Sequence, residues 1–129
     1  MTATTIATAA RPGRRLRRRH LWLVPGLAIA IVANQLGEAN GVGILALIAF
    51  GIAPDLPRLF GVRGRPAHNI LHQPLIAATV AGAMALGTAA ALVPVVWLVG
   101  SLVWLGHVVA GWGVGDVPRP LTPGAATRG

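Results

Sequence analysis

The sequence predicts an all-α integral membrane protein, a four-helix bundle preceded by a disordered basic N-terminal arm. Three observations carry this expectation. The 129 residues are 54% hydrophobic and only 11% charged, with a mean hydropathy of +0.68; a soluble domain carries about 25% charged residues. The apolar residues run almost unbroken from Leu21 to Val114, interrupted by turn-forming residues at intervals that approach a bilayer crossing. The basic residues crowd immediately in front of that body, at Arg14, Arg15, Arg17, Arg18 and Arg19.

The arm comprises residues 1–20. Met1 to Ala10 is rich in Thr and Ala without an amphipathic period, the mark of a disordered segment, and Arg11 to His20 is the charge block. The membrane domain is expected over 21–116. Its first span is Leu21 to Leu36, with Pro25 near the first turn, where a missing N–H costs little. Asn34, Gln35, Glu38 and Asn40 supply a polar turn. The second span is Gly41 to Ala53, ended by Pro54, Asp55 and Pro57. Leu56 to Gln73 reads as the one substantial internal loop. The third span is Pro74 to Leu92. Pro94 separates it from the fourth, Val95 to Val114, across a tight turn. Residues 117–129 read as a flexible tail containing Pro, Gly, Arg119 and Arg128.

Packing and interface signals follow the same plan. Ala78, Gly82, Ala83, Gly87 and Ala91 on the third span, and Gly100 and Gly106 on the fourth, are small enough for helix backbones to approach closely. Trp22 and Trp112 fit one membrane interface and Trp97 the other.

Charge sets the expected orientation. Four spans place the arm, the central loop and the tail on one side, and that side holds all eleven Arg; the opposite turns hold only Glu38. The positive-inside rule then puts both termini in the cytoplasm. The absence of Lys and the abundance of Ala, Gly and Val fit a GC-rich bacterial genome, hence a bacterial inner membrane. Arg18-Arg19-His20-Leu21 resembles a twin-arginine export signal, but the chain that follows offers no soluble passenger. The basic run is not interleaved with aromatics, so no nucleic acid is expected. The expected partner of Arg14, Arg15, Arg17, Arg18 and Arg19 is an anionic headgroup of the bilayer. A homo-oligomer is open.

The absence of Cys excludes thiolate catalysis, disulfides and cysteine-ligated metals. The remaining chemistry rests on few residues. His68 and His72 are spaced i, i+4 and share a face if that stretch is helical. His107 lies inside the fourth span, where an ionisable group is costly and turns inward toward a partner. Asp55 and Asp116 flank span ends on the same side. Asp55, His68, His72 and His107 could together bind a divalent metal, making a water available for hydrolysis. Each also has a plainer reading. His68 and His72 can be interfacial, Asp55 can pair with Arg58, Arg63 or Arg65 in a turn, and His107 can donate to a neighbouring backbone carbonyl. His72 and His107 are expected to be the closest pair, since spans three and four form a hairpin.

Ala53-Pro54-Asp55-Leu56, the His68-Asn69-Ile70-Leu71-His72 stretch with Pro74, and His107 with Gly111-Trp112-Gly113-Val114 resemble a family of small bacterial membrane proteins known as domain of unknown function 4260. The resemblance covers about Leu45 to Val114. It implies four spans and adds Asn69 to Asp55, His72 and His107 as site residues. It names no reaction. The chain departs from the family pattern in having His68 where an aromatic precedes the Asn. It also lacks an Asp-Arg pair one turn after His107, which removes the acid partner the family implies for that histidine.

Two functional readings emerge. One is metal-assisted hydrolysis of a lipid or headgroup substrate at a cytoplasmic-face His/Asp cluster. The other is a non-catalytic membrane assembly or partner-binding subunit that presents the basic arm. A small-molecule carrier would require oligomerisation, since four short spans enclose little.

Overall fold

The computed structural model describes residues 20–115. The arm with Arg14, Arg15, Arg17, Arg18 and Arg19, the tail, and Asp116 lie outside the described residues. A short 3-10 turn, His20–Trp22, enters α1 (Leu23–Ala39). Next come α2 (Ile44–Ile52), a 3-10 stretch (Ala53–Gly64), α3 (Arg65–Leu71), α4 (Pro74–Ala89) and α5 (Val95–Val114). The described residues are all helix and turn, with no strand.

The helix ends follow from local chemistry. At the end of α1 the amides of Asn40 and Val42 both donate to the Gly37 carbonyl, at 3.1 and 2.9 Å, and Gly41 adopts the left-handed φ of +69° that this closure needs. Asn40 Nδ2 donates to the Leu36 carbonyl at 2.8 Å, and Asn34 Nδ2 donates to Glu38 at 2.9 Å, so the polar turn satisfies itself. Between α4 and α5 the amides of Leu92 and Val93 close on the Gly87 carbonyl, and Pro94 stands at the N-cap of α5.

Three apolar helical runs are long enough to cross a bilayer by length and composition: His20–Ala39, Ile44–Leu71 and Val95–Val114, of 20, 28 and 20 residues. They suggest a membrane protein. The outer surface agrees, because Leu45, Leu75, Leu86 and Leu92 each expose more than three-quarters of their area, a dressing suited to lipid rather than water. The third expected span is shorter than anticipated. α4 has 16 residues, roughly 24 Å against a hydrocarbon core of about 30 Å.

The central segment differs most from expectation. α2 ends at Ile52, just before Pro54, as expected, but Leu56 to Gln73 is helical almost throughout, since the chain continues as 3-10 instead of opening into a loop. Pro54 stands in the first turn of the 3-10 stretch, where its missing N–H has no partner to lose, while Pro57 lies inside it. The break comes instead at Gly61, with φ +56° and ψ −129°. Beyond it α3 turns back and packs on the 3-10 stretch. A Cβ on Gly64 would collide with the Pro57 carbonyl, so the return path requires glycine there.

The scaffold is the α1–α5 pair. A Cβ on Gly26 would lie 2.7 Å from the Ala110 amide nitrogen, and one on Gly106 would lie 3.2 Å from the Gly26 carbonyl oxygen. The two backbones therefore touch, with Ala33, Val99 and Val108 fully buried nearby. α2 adds Leu47 and lays the Phe50 ring over Gly100. α4 buries Ala77 and Ala81, whereas the expected packing residues Ala78, Gly82 and Ala83 face outward. The rotation of α4 is set at its start, where α5 grips the preceding turn through two tryptophans.

Candidate metal centre

Asp55 occupies the first turn of the 3-10 stretch, directly after Pro54. His68 and His72 lie one helical turn apart, His72 at the C-cap of α3. His107 projects from α5. The fold-back at Gly61 brings α3 beneath Asp55, and α5 closes the third side. Trp104 Nε1 donates to the Leu71 carbonyl at 2.8 Å and Trp112 Nε1 to the His72 carbonyl at 3.3 Å. These indoles satisfy carbonyls that the end of α3 leaves open, and they hold His107 against that end.

Asp55 is the hub. Its Oδ1 lies 3.4 Å from His72 Nε2, 3.8 Å from His68 Nδ1 and 3.4 Å from Arg58 Nη1; its Oδ2 lies 3.3 Å from His107 Nε2. One donor atom each from Asp55, His72 and His107 falls within 4.8 Å of the other two. A tetrahedral ion with bonds of 2.0–2.1 Å separates its ligands by about 3.3 Å. Both aspartate–histidine separations are already at that spacing.

The expected closest pair is not the one found. The His68 and His72 rings lie 3.8 Å apart, centroid to centroid, against 5.5 Å for His72 and His107. The i, i+4 spacing on α3 stacks the first pair, whereas His107 reaches the group through Asp55. The acid partner of His107 is therefore Asp55, from the second helical run, and not a residue one turn further along α5.

Hydrogen bonding assigns the tautomers. His72 Nδ1 lies 3.0 Å from the His68 carbonyl, to which it can only donate. Its Nε2 then carries a lone pair toward Asp55. His72 is 1% exposed and lies between the Ile44–Leu71 run and α4. Burial pushes its pKa below the ordinary value, with the charges of His68 and His107 adding to the shift; its bond to the His68 carbonyl and the Asp55 charge oppose it. His68 differs. Arg58 Nε donates to His68 Nε2 at 3.2 Å, so the proton of the neutral ring sits on Nδ1, facing Asp55. A nitrogen that carries a proton is no ligand, and the geometry leaves His68 out of the ligand set. It stands instead as a donor behind Asp55, held by Arg58.

Asn69 is half-buried on α3 beside His68 and is not one of the three grouped ligands. The ion pair of Asp55 with Arg58 coexists with the cluster; the turn reading and the site reading of Asp55 both describe it. The sequence offers Arg58 as an ion-pair partner of Asp55, which it is, but not as the donor to His68, nor Trp104 and Trp112 as donors to the end of α3. The Trp112 spacing had suggested only an interfacial anchor, yet Trp104 precedes His107 by three residues, a helical neighbour on the same side.

One feature of the centre is energetically unusual. Asp55 Oδ1, His68 Nδ1 and His72 Nε2 are buried with no hydrogen-bond partner. The His72 Nε2 lone pair and the Asp55 carboxylate are two acceptors facing each other at 3.4 Å. A buried acceptor left unpaired costs roughly 1–3 kcal/mol, and since Asp55 Oδ1 has the Arg58 guanidinium at 3.4 Å, that cost falls on His72 Nε2. A cation between Asp55 and His72 removes that cost.

The fold and the centre together define an all-helical, apolar chain with a two-histidine, one-carboxylate cluster at a helix junction. Compared with known proteins, the chain matches no family model, no curated protein and no solved structure.

Proposed function

We propose that this chain is a metal-dependent hydrolase of the bacterial inner membrane, acting on a lipid or a lipid headgroup. The observation that carries the reading is the buried His72 Nε2, which has no hydrogen-bond partner and lies 3.4 Å from Asp55 Oδ1, at ligand spacing beside His107. Asp55, His72 and His107 would hold a divalent ion such as zinc. Three protein ligands leave a coordination position open, as in hydrolytic zinc sites. A bound ion would supply Lewis acidity there, polarising a carbonyl or phosphoryl oxygen and activating water for attack. His72, locked through Nδ1 to a backbone carbonyl, presents its other nitrogen in the orientation a metal ligand needs. His68 and Arg58 fix the carboxylate of Asp55.

In this reading four apolar segments cross the membrane, α2 continued by the 3-10 stretch and α4 with help from its flanking turns, and both termini face the cytoplasm. Arg14, Arg15, Arg17, Arg18 and Arg19 bind anionic headgroups. The motif residues Asp55, Asn69, His72 and His107 are read as a resemblance to the domain of unknown function 4260 family. Reporter fusions at Gly129 and near Glu38 should report opposite sides of the membrane; a periplasmic C-terminus refutes the topology.

A second reading has one observation in its favour. Arg58 sits 3.4 Å from Asp55 and, with protonated imidazoles, could neutralise the carboxylate without metal. The cluster would then brace a non-catalytic assembly subunit. Elemental analysis of protein purified in mild detergent decides between them. About one zinc or other transition ion per chain supports the metal centre. Protein that stays metal-free after incubation with zinc, manganese and iron(II) supports the brace.

A further inference from the structure

An apolar, partly open cavity of about 300 Å³ lies next to the candidate centre, walled by Pro54, Leu71, Val80, Met84, Trp97 and Trp104 among others. Its position along the chain is informative. Pro54 and Leu71 immediately precede Asp55 and His72, and Trp104 lies one turn before His107. Trp97 and Met84 line it further away, Trp97 seven residues along α5, or roughly 10 Å. None of Asp55, His72 and His107 lines it, but Pro54 and Leu71 carry its wall to within one residue of Asp55 and His72, and from that end it runs along α5. The Phe50 ring, edge-on to Trp97 at 6.0 Å, closes part of the wall.

The chemistry of the walls is one-sided. Ser101 Oγ donates to the Leu98 carbonyl at 2.8 Å and Trp104 Nε1 to the Leu71 carbonyl at 2.8 Å. The hydroxyl and the indole nearest the centre are thus already committed within the protein. Such a space favours hydrocarbon and offers a polar group little to bond. Its volume falls at the small end of ligand pockets. At roughly 30 Å³ for a group the size of water or a methylene, it holds about ten carbons.

We infer that this cavity takes the hydrocarbon chain of the substrate, so that a single acyl or prenyl chain of about eight to ten carbons lies along α5 with its polar end at Asp55, His72 and His107. This assignment rests on the metal-centre reading for the position of the polar end, and on the cavity alone for the chain. The substrate class it names is a lipid whose scissile bond sits at the head of one chain. A headgroup hydrolase that reaches its substrate from the water would not need the cavity.

The probes are n-alkyl hydroxamates of increasing chain length, whose heads bind an open metal position, applied to zinc-loaded full-length protein in nanodiscs. Binding should tighten about fourfold per added methylene up to roughly eight to ten carbons and then level off. In the cavity-filling variant Val80→Phe/Met84→Phe the gain over acetohydroxamate should fall at least tenfold. Zinc and acetohydroxamate should bind that variant as they bind the wild type, which also shows that it folds. A gain that climbs without a break to much longer chains, equally in both proteins, reflects partitioning into the bilayer and overturns the inference. If acetohydroxamate fails to bind, the metal reading has failed, and a second measurement still decides on the cavity. In zinc-free Trp22→Phe/Trp97→Phe/Trp112→Phe protein, Trp104 is the remaining tryptophan. Its quenching by 8-bromooctanol should saturate, and the saturable part should vanish when Val80→Phe/Met84→Phe is added. Quenching that is linear and identical in both overturns the inference.

Discussion

The α1–α5 pair and the corner formed by the 3-10 stretch and α3 have little in common. The pair is regular and apolar, and its backbones touch at Gly26 and Gly106. Every polar backbone group inside those helices is satisfied by the helix itself, as a bilayer requires. The corner carries Pro54, Pro57, Gly61, Gly64 and Pro66 within thirteen residues of chain, and it holds Asp55, Arg58, His68 and His72. Its backbone reverses at the exposed Gly61, and α3 packs back on the 3-10 stretch. The comparison teaches a division of labour. Repetitive small residues build a scaffold that tolerates no added volume, and the irregular corner supplies chemistry that tolerates no lost partner. Substitutions that should damage one region ought to leave the other distinguishable from it.

The largest effect belongs to the corner. Asp55→Asn, His72→Ala and His107→Ala should each lower zinc affinity by more than a hundredfold, since each removes one of three ligands. Arg58→Gln should act through His68 and weaken zinc by roughly ten- to a hundredfold, the usual scale for groups that orient a ligand. Competition with a chromogenic chelator measures both. Equal affinity in Asp55→Asn and wild type would remove the centre altogether and leave only the packing role of these side chains.

Much of the scaffold was legible in the sequence, and the reason is physical. Helices in an apolar setting are governed by runs and by breakers whose action is local. Pro94 therefore marks the start of α5 at Val95, and the run ends at Val114 as expected. The corner was less legible because proline and glycine there act through three-dimensional context. Pro54, Asp55 and Pro57 read as terminators, and α2 does end before them, yet the chain continues as 3-10 and the reversal falls on Gly61. Asp55, His72 and His107 were recognisable as a group from shared depth. The exclusion of His68 was not, because it depends on the Arg58 guanidinium arriving at Nε2 from ten residues away. Nor does the sequence distinguish the Ala77/Ala81 face of α4 from the Ala78/Gly82 face, both being equally small.

The scaffold should yield an effect of intermediate size, and it supplies its own control. Gly26→Val inserts volume where a Cβ would meet the Ala110 backbone at 2.7 Å, while Gly82→Ala adds a methyl with nothing within 4 Å. The first should destabilise by about 1–3 kcal/mol, the range for overpacking a close-packed contact. The second should leave stability unchanged or raise it by up to about 1 kcal/mol, since alanine replaces glycine inside a helix with nothing to clash against. Thermal or denaturant unfolding in detergent, followed by far-UV circular dichroism, reads both. Indistinguishable stabilities would mean that the α1–α5 contact is looser than its glycines indicate.

The smallest effect is a titration. In zinc-free protein, burial holds the His72 pKa below the ordinary imidazole value of about 6.5. The folded state therefore resists a proton that the unfolded chain accepts. The sign follows: the stability that His72 contributes is fully present above about pH 6.5 and is lost as pH falls through its lower, folded value. His72 Nε2 accordingly remains available to a metal somewhat below the pH at which an exposed histidine is protonated, and zinc should leave only as acidification proceeds further. Proton NMR of the His72 ring in zinc-free protein should give a midpoint below 6.5. Because the Asp55 charge raises the His72 pKa against the effect of burial, Asp55→Asn should lower that midpoint further. A midpoint that rises in Asp55→Asn would mean that the two groups do not face each other as acceptor and acceptor, and the case for a cation between them would go with it.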